Sequence, residues 1–228
     1  MAILDLDWNA FRGVFRWNQG EHLAAIAPTG AGKTTLLRKL TPYRKFNLVF
    51  GTKIADKQYD MLVGQGFRRV ESMAEIKPWD NNVLLWPKFK KTIPELVQRQ
   101  RETFRDALDV VVKQRSWTLW VDEAKYVSEF LKLRTELVFC LEQLRSIDAT
   151  IICGAQRPAW IPPSTLSNST HIFLWKTTNR DDARVLSDVG GIDADEVKTA
   201  ARNLGEHEFL YIRSRGTEAQ IIRTEVKE

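Results

Sequence analysis

Cysteine is nearly absent from the chain. There are two, Cys140 and Cys153, each inside an apolar run and neither in a C-x-x-C or metal-ligand spacing. That excludes a disulfide framework and reads as buried free thiols in a reducing compartment. The three histidines, His22, His171 and His207, are scattered and suggest no metal site. No apolar run approaches membrane-spanning length, and no basic-then-apolar leader opens the sequence, so a cytoplasmic protein without membrane insertion is expected. Internal repeats and low-complexity stretches are also missing. The remainder, 43% hydrophobic and 28% charged over 228 residues, describes one folded α/β domain with a full core. The net charge of +5 is compatible with a polyanionic partner but does not require one.

The most informative stretch is Ala24-Ala25-Ile26-Ala27-Pro28-Thr29-Gly30-Ala31-Gly32-Lys33-Thr34-Thr35. An apolar strand ends in a small-residue turn that opens into the helical Leu36-Leu37-Arg38-Lys39-Leu40. This is the layout of a P-loop, or Walker A motif, with Ala27 where the first glycine is usual. Its glycines let backbone N–H groups point at phosphate oxygens, and the helix N-terminus adds partial positive charge. Pro28 to Thr35 would cradle the phosphates of ATP, with Lys33 reaching the β- and γ-phosphates and the Thr34 hydroxyl ligating Mg²⁺.

Taken in order, residues 1–20 read as an N-terminal arm or short strand with core-covering aromatics, and 21–228 as a single domain. Phe46–Phe50, Val83–Trp86, Trp117–Val121, Ala149–Ala155 and Ile172–Trp175 are buried-strand candidates. Between them, Ala55–Val63 reads as a short helix and Pro94–Gln114 as a long amphipathic one. A second long helix is expected over Ala124–Arg145, and short ones over Asp181–Val189 and Ala194–Leu204. Phe209–Ile212 and Ala219–Ile222, around Gly216, read as a hairpin. Alternating strands and helices imply right-handed βαβ units and a mainly parallel sheet, with ligands beyond the carboxyl ends of its strands.

Two further polar clusters fall at such ends. Leu119-Trp120-Val121 delivers Asp122 and Glu123, a Walker B pattern in which Asp122 holds Mg²⁺ and Glu123 polarises the water that attacks the γ-phosphate. On its own the pair reads equally as acids opening a helix; with Lys33 present the catalytic reading is preferred. Gln156 ends the next strand, where it senses the γ-phosphate, orients the attacking water, or is simply a solvated strand end. Arg145 is either an arginine finger for a neighbour's nucleotide or a cation settling a helix C-terminus. The basic residues Lys88, Lys90, Lys91, Arg99 and Arg101, and a second group of Lys53, Lys57, Arg68 and Arg69, suit either a nucleic-acid backbone or a solvated face.

The ordered set resembles the FtsK/HerA class of P-loop ATPases over about Glu21 to Val226. Ala155-Gln156-Arg157-Pro158 resembles the "TQRP" element of that class, and Arg145 stands where its "R-x-x-G-[IL]" arginine does, eleven residues before Gln156. Asp181-Asp182-Ala183-Arg184-Val185-Leu186 is similar to its "D-S/A-R-x-[IL]-L" helix, and Gly205-Glu206-His207-Glu208-Phe209-Leu210-Tyr211 to its "G-x-G-[DE]-M/F-L-Y" hairpin. Departures are Ala27 for Gly, Ala155 for Thr, and Ile147-Asp148 where a glycine is usual. The resemblance implies a three-layer, RecA-like ASCE fold and ATP hydrolysis coupled to movement of double-stranded DNA. It implies a homo-oligomeric ring, a hexamer, with active sites at subunit interfaces. A motor domain with almost nothing attached resembles the genome-packaging ATPases of double-stranded DNA viruses. Capsid portal or vertex proteins would then be partners, and the host cytoplasm or the virion its location. Alternatives are a motor for conjugation or filamentous-phage export, a small-molecule kinase, and a nucleotide-gated binding module.

Overall fold

Strands apolar at every position have no solvent face, so they must be covered on both sides. The computed structural model, which describes residues 3–88, 91–177, 194–215 and 220–226, has this arrangement. Ten strands form one sheet: β1 (Leu4–Asp5), β2 (His22–Ile26), β3 (Asn47–Phe50), β4 (Arg68–Val70), β5 (Asn82–Leu85), β6 (Thr118–Val121), β7 (Thr150–Ala155), β8 (Ser169–Trp175), β9 (Glu208–Arg213) and β10 (Gln220–Glu225). Their spatial order is β1-β10-β9-β8-β2-β7-β6-β3-β5-β4. β9 is antiparallel to both β8 and β10, and every other neighbouring pair is parallel.

Seven helices are described: α1 (Trp8–Val14), α2 (Lys33–Leu40), α3 (Lys57–Gly64), α4 (Ile93–Gln114), α5 (Arg134–Gln143), α6 (Ser164–Asn168) and α7 (Ala194–Arg202). Strand alternation sorts the core into two layers. Leu23, Ala25, Trp120, Ile152 and Phe173 pack with Phe11 of α1, Leu36 and Leu37 of α2 and Leu62 of α3. Ala24, Ile26, Leu119, Val121 and Ile151 pack with Phe104 and Leu108 of α4, Leu137 of α5, Leu166 of α6 and Val197 of α7. The result is a three-layer α/β sandwich of P-loop NTPase type.

Residues 3–20 enter this core directly. Leu4 and Asp5 pair with Ile222 and Arg223 of β10, and Phe11, Phe15 and Trp17 are buried against Phe173, Tyr211 and His171. The long helix expected over Ala124–Arg145 is broken. A π-helical turn spans Tyr126–Phe130, closed by Leu131 N–H donating to the Tyr126 carbonyl, and Lys132 takes a positive φ of 58° before α5 starts. The extra residue in that turn shifts the helical phase and ends the first segment. β1 and β4 are two- and three-residue edge strands, below the length at which alternation can be read. The expected helix at Asp181–Val189 and the turn at Gly216 lie outside the described residues. Cys140 and Cys153 are buried, and burial pushes both thiols up to about 12.

At the amino end of the sheet, His171 Nε2 lies 2.9 Å from Glu21 Oε2 and His171 Nδ1 lies 2.9 Å from the Tyr211 hydroxyl. With Glu21 ionised, Nε2–H donates to it and Nδ1 accepts from the tyrosine. Burial opposes the Glu21 carboxylate, yet the His171 contact and the Asn18 N–H outweigh it and hold its pKa down at about 2. Burial lowers the His171 imidazole below its usual 6.5, against the pull of Glu21. In both cases the unfolded chain binds protons before the folded one, so stability falls with pH, first below 6.5 and then from 4.5 towards 2. Urea unfolding at pH 7, 5 and 3 is expected to show a midpoint that drops with each step. Glu21→Gln should start lower at pH 7 and flatten the acid limb, and a wild-type midpoint constant across this range would contradict the assignment.

Candidate nucleotide-binding site

The carboxyl ends of β2, β7, β6 and β3 converge on a cleft of about 410 Å³. Its floor is the turn from β2 into α2. Gly30 and Gly32 sit at φ of 83° and 101°, which side chains rarely adopt. A Cβ on Gly32 would also meet Val226 Cγ1 at 3.0 Å, with His207 Nδ1 at 3.9 Å. Ala27 sits at an ordinary φ, its N–H donates to the Ala155 carbonyl at 3.0 Å, and its methyl is buried. The departure from glycine there therefore asks nothing unusual of the backbone.

No side chain caps α2 and no acid occupies its first turn. The N–H groups of that turn are thus left for an anion, which the helix dipole favours. Lys33 is buried and donates to the Asp122 carbonyl at 3.0 Å; its Nζ also lies 3.0 Å from Asp122 Oδ1. The Thr34 hydroxyl faces Asp122 Oδ2 at 3.4 Å. Asp122 Oδ1 lacks a partner in hydrogen-bonding geometry, so the Lys33 contact is an ion pair by distance alone. One hydroxyl and one carboxylate with an open lone pair are hard oxygen donors of the kind Mg²⁺ takes, so the residues present fit that ion.

Glu123, the next residue, is partly exposed on the cleft wall, and Gln156, just beyond β7, lines the same cleft. β7 lies between β2 and β6, which brings Gln156 between the phosphate loop and the acidic pair. Pro28, Thr29, Gly30, Thr35 and the residues above all border this space, and Ala31 adjoins it in the loop. A slightly larger hollow of about 500 Å³, by Phe46 and Trp117, lies at the opposite, amino end of the sheet.

Arg145 is not brought into this cluster. It lies in a 3₁₀ turn (Leu144–Ile147) before β7, and its guanidinium donates to Thr170 Oγ1 at 2.6 Å. That is the amino end of the sheet, so Arg145 cannot reach its own chain's cleft. Several basic residues read as candidate patches are engaged within the chain. Lys88 and Arg99 both pair with Glu71, at 3.1 and 2.6 Å, Arg68 pairs with Asp80, and Arg69 stacks on Trp86 at 3.8 Å. Phe89 and Lys90 lie outside the described residues.

The sequence reading gave Lys53 no part in this cleft. Its Nζ is 2.7 Å from Asp56 Oδ2 and 3.8 Å from Glu123 Oε1, inside the cleft. Burial would lower the Lys53 ammonium, but Asp56 and Asp122 outweigh it and raise its pKa. A signal was available, since Lys53 stands just beyond a buried strand at its carboxyl end.

Fold and cleft together have the layout of a P-loop NTPase fold. No family model and no curated protein sequence matches the chain. Solved structures do. The genome packaging NTPase B204 of Sulfolobus turreted icosahedral virus 2, in complex with sulfate, superposes with a TM-score of 0.67 at 16% identity, covering 93% of this chain and 100% of that one. VirB4 of Thermoanaerobacter pseudethanolicus gives 0.66 at 10% identity, covering 91% and 89%. The monomeric conjugation coupling protein TcpA of pCW3 gives 0.54 at 12% identity, covering 90% of this chain and 60% of that one. These likenesses establish the fold.

Gly154 in β7 supplies a sharp test of the site. A Cβ there would lie 2.5 Å from the Asp122 carbonyl oxygen and 2.7 Å from Oδ1, both on the residue that anchors Lys33. Gly154→Ala is expected to lower the melting temperature and to weaken nucleotide binding by tenfold or more, about 1.4 kcal/mol. Unchanged nucleotide affinity, measured by calorimetry, would show that Asp122 can move without consequence.

Proposed function

We propose that the chain is an ATP-hydrolysing motor domain that moves double-stranded DNA, most fittingly in viral genome packaging. The observation that carries the reading spans the ends of β2 and β6 across β7: an uncapped helix N-terminus with Lys33 and Thr34 faces Asp122 followed by Glu123. The fold likeness to a packaging NTPase, over that protein's whole length, supports packaging as the work done.

In this reading the N–H groups at the start of α2 hold the β-phosphate of ATP, and Lys33 exchanges Asp122 for phosphate oxygens. Thr34 and Asp122 hold Mg²⁺, which when bound offsets the charge of the phosphate chain. Glu123 accepts a proton from the attacking water as its oxygen bonds to the γ-phosphorus. The bond to the β–γ bridging oxygen breaks, and the electron pair leaves with ADP. Gln156 hydrogen-bonds to the γ-phosphate or to that water. Arg145, remote from its own cleft, acts only on a neighbour's, which asks for a ring, a hexamer in the proposed form, with DNA in its channel. Portal or vertex proteins of a capsid are its partners.

A conjugation or export motor is the second reading, favoured by the likeness to VirB4 and TcpA. Co-purification with capsid components or with a membrane pore separates the two. A kinase is disfavoured because Glu123 and Gln156 both line the phosphate cleft, and a kinase, whose acceptor is not water, needs neither.

Steady-state ATP hydrolysis with and without duplex DNA tests the reading. Duplex DNA is expected to stimulate turnover. Glu123→Gln should cut it about 10²- to 10⁴-fold while leaving ATP bound. Turnover indifferent to DNA would contradict the motor, and an active Glu123→Gln variant would remove Glu123 from the chemistry.

A further inference from the structure

The hydrolysis scheme gives Lys53 no role, yet its surroundings are built with some precision. The backbone beneath it is held at three points. Thr52 N–H donates to the Tyr59 hydroxyl at 3.1 Å, the Thr52 carbonyl accepts from Gln100 Nε2 at 3.0 Å, and the Lys53 carbonyl accepts from the Trp86 indole N–H at 2.7 Å. Gln100 lies on α4 and is only 1% exposed. A buried amide in a helix facing the core is costly unless both its ends are satisfied. Here both are, since Oε1 accepts from the Tyr126 hydroxyl at 2.6 Å, three residues beyond Glu123. One amide therefore ties the segment bearing Lys53 to the segment bearing Glu123.

Above this fixed backbone the Lys53 side chain is 44% exposed, so the head can swing while its base cannot. Its present partners differ in kind. Asp56 is itself fixed, because Oδ1 caps α3 by accepting from Gln58 N–H at 2.9 Å while Oδ2 holds Lys53. Glu123 is a looser neighbour at 3.8 Å. A γ-phosphate entering beside Glu123 brings more negative charge than one carboxylate, and several oxygens able to accept a short charge-assisted hydrogen bond.

We propose that Lys53 is a catalytic residue whose ammonium leaves Asp56 and Glu123 for the γ-phosphate of the bound nucleoside triphosphate, with Gln100 as the positioning residue that sets its reach. This deepens the hydrolysis reading and rests on it. In the resting cleft the ammonium stands beside the Glu123 oxygen that must receive a proton; its transfer to the γ-phosphate clears that oxygen. Water then bonds to the γ-phosphorus, its proton passes to Glu123, and the bridging P–O bond breaks with its electron pair leaving on the diphosphate. Lys53 exchanges no proton and offsets the charge of the transferred group.

The test is equilibrium titration of the full chain with ADP and with a non-hydrolysable ATP analogue, alongside turnover, for wild type, Lys53→Met, Lys53→Arg and Gln100→Leu. Lys53→Met should weaken the triphosphate analogue about tenfold with ADP affinity unchanged, and lower kcat about 10²-fold. Lys53→Arg should restore much of the preference for the triphosphate. Gln100→Leu should lower kcat more than it raises KM. Lys53→Met with wild-type affinities and turnover would overturn the proposal. Equal loss of ADP and triphosphate would also overturn it, since Lys53 would then only hold the cleft together. A wild-type protein that binds neither nucleotide would instead overturn the reading of the cleft itself, and Lys53's role with it.

Discussion

The contact between Lys33 and Asp122 is the constraint on which the rest of the molecule depends. It joins the first residue of α2 to the residue just beyond β6, across the intervening strand β7, and both side chains are buried. Removing one partner from such a pair costs about 3–5 kcal/mol, because the other charge is left uncompensated. The pair tolerates β7 between its members only because Gly154 presents no side chain to Asp122. It is also poised for exchange, since Lys33 binds the carbonyl and carboxylate of one residue and Asp122 retains an unmet oxygen.

Much of this was legible in the sequence for a simple reason. The central strands are buried on both faces, so their apolar runs are continuous, and the candidate site residues follow directly at their carboxyl ends. Lys33, Thr34, Asp122, Glu123 and Gln156 were grouped from the phosphate-loop motif together with that rule, and the structure brings them around one cleft. Ala27 looked like a flaw in the phosphate loop, and its ordinary backbone angles remove the concern.

What escaped has equally specific causes. β1 and β4 are too short to alternate visibly, and the π-helical turn after Glu123 inserts a phase shift that helical periodicity cannot reveal. Arg145, expected to act only on a neighbour's nucleotide, lies at the amino end of the sheet, away from its own chain's cleft. The two basic groups suited either a nucleic-acid backbone or a solvated face, and in the structure Glu71 and Asp80 engage Lys88, Arg99 and Arg68 within the chain. Lys53 was grouped with those stretches by composition, and only the third dimension separates it from them. The amide of Gln100, invisible as one polar residue in a long amphipathic helix, joins it to the turn after Glu123.

Asp122 and Thr34 are proposed to form a metal-dependent triphosphate site around Lys33. Calorimetric titration of the wild type and Asp122→Asn with a non-hydrolysable ATP analogue, in Mg²⁺ and in EDTA, tests it most directly. Mg²⁺ is expected to strengthen binding to the wild type by tenfold or more, about 1.4 kcal/mol, and to have little effect on the variant. Equal dependence on Mg²⁺ in both proteins would contradict it.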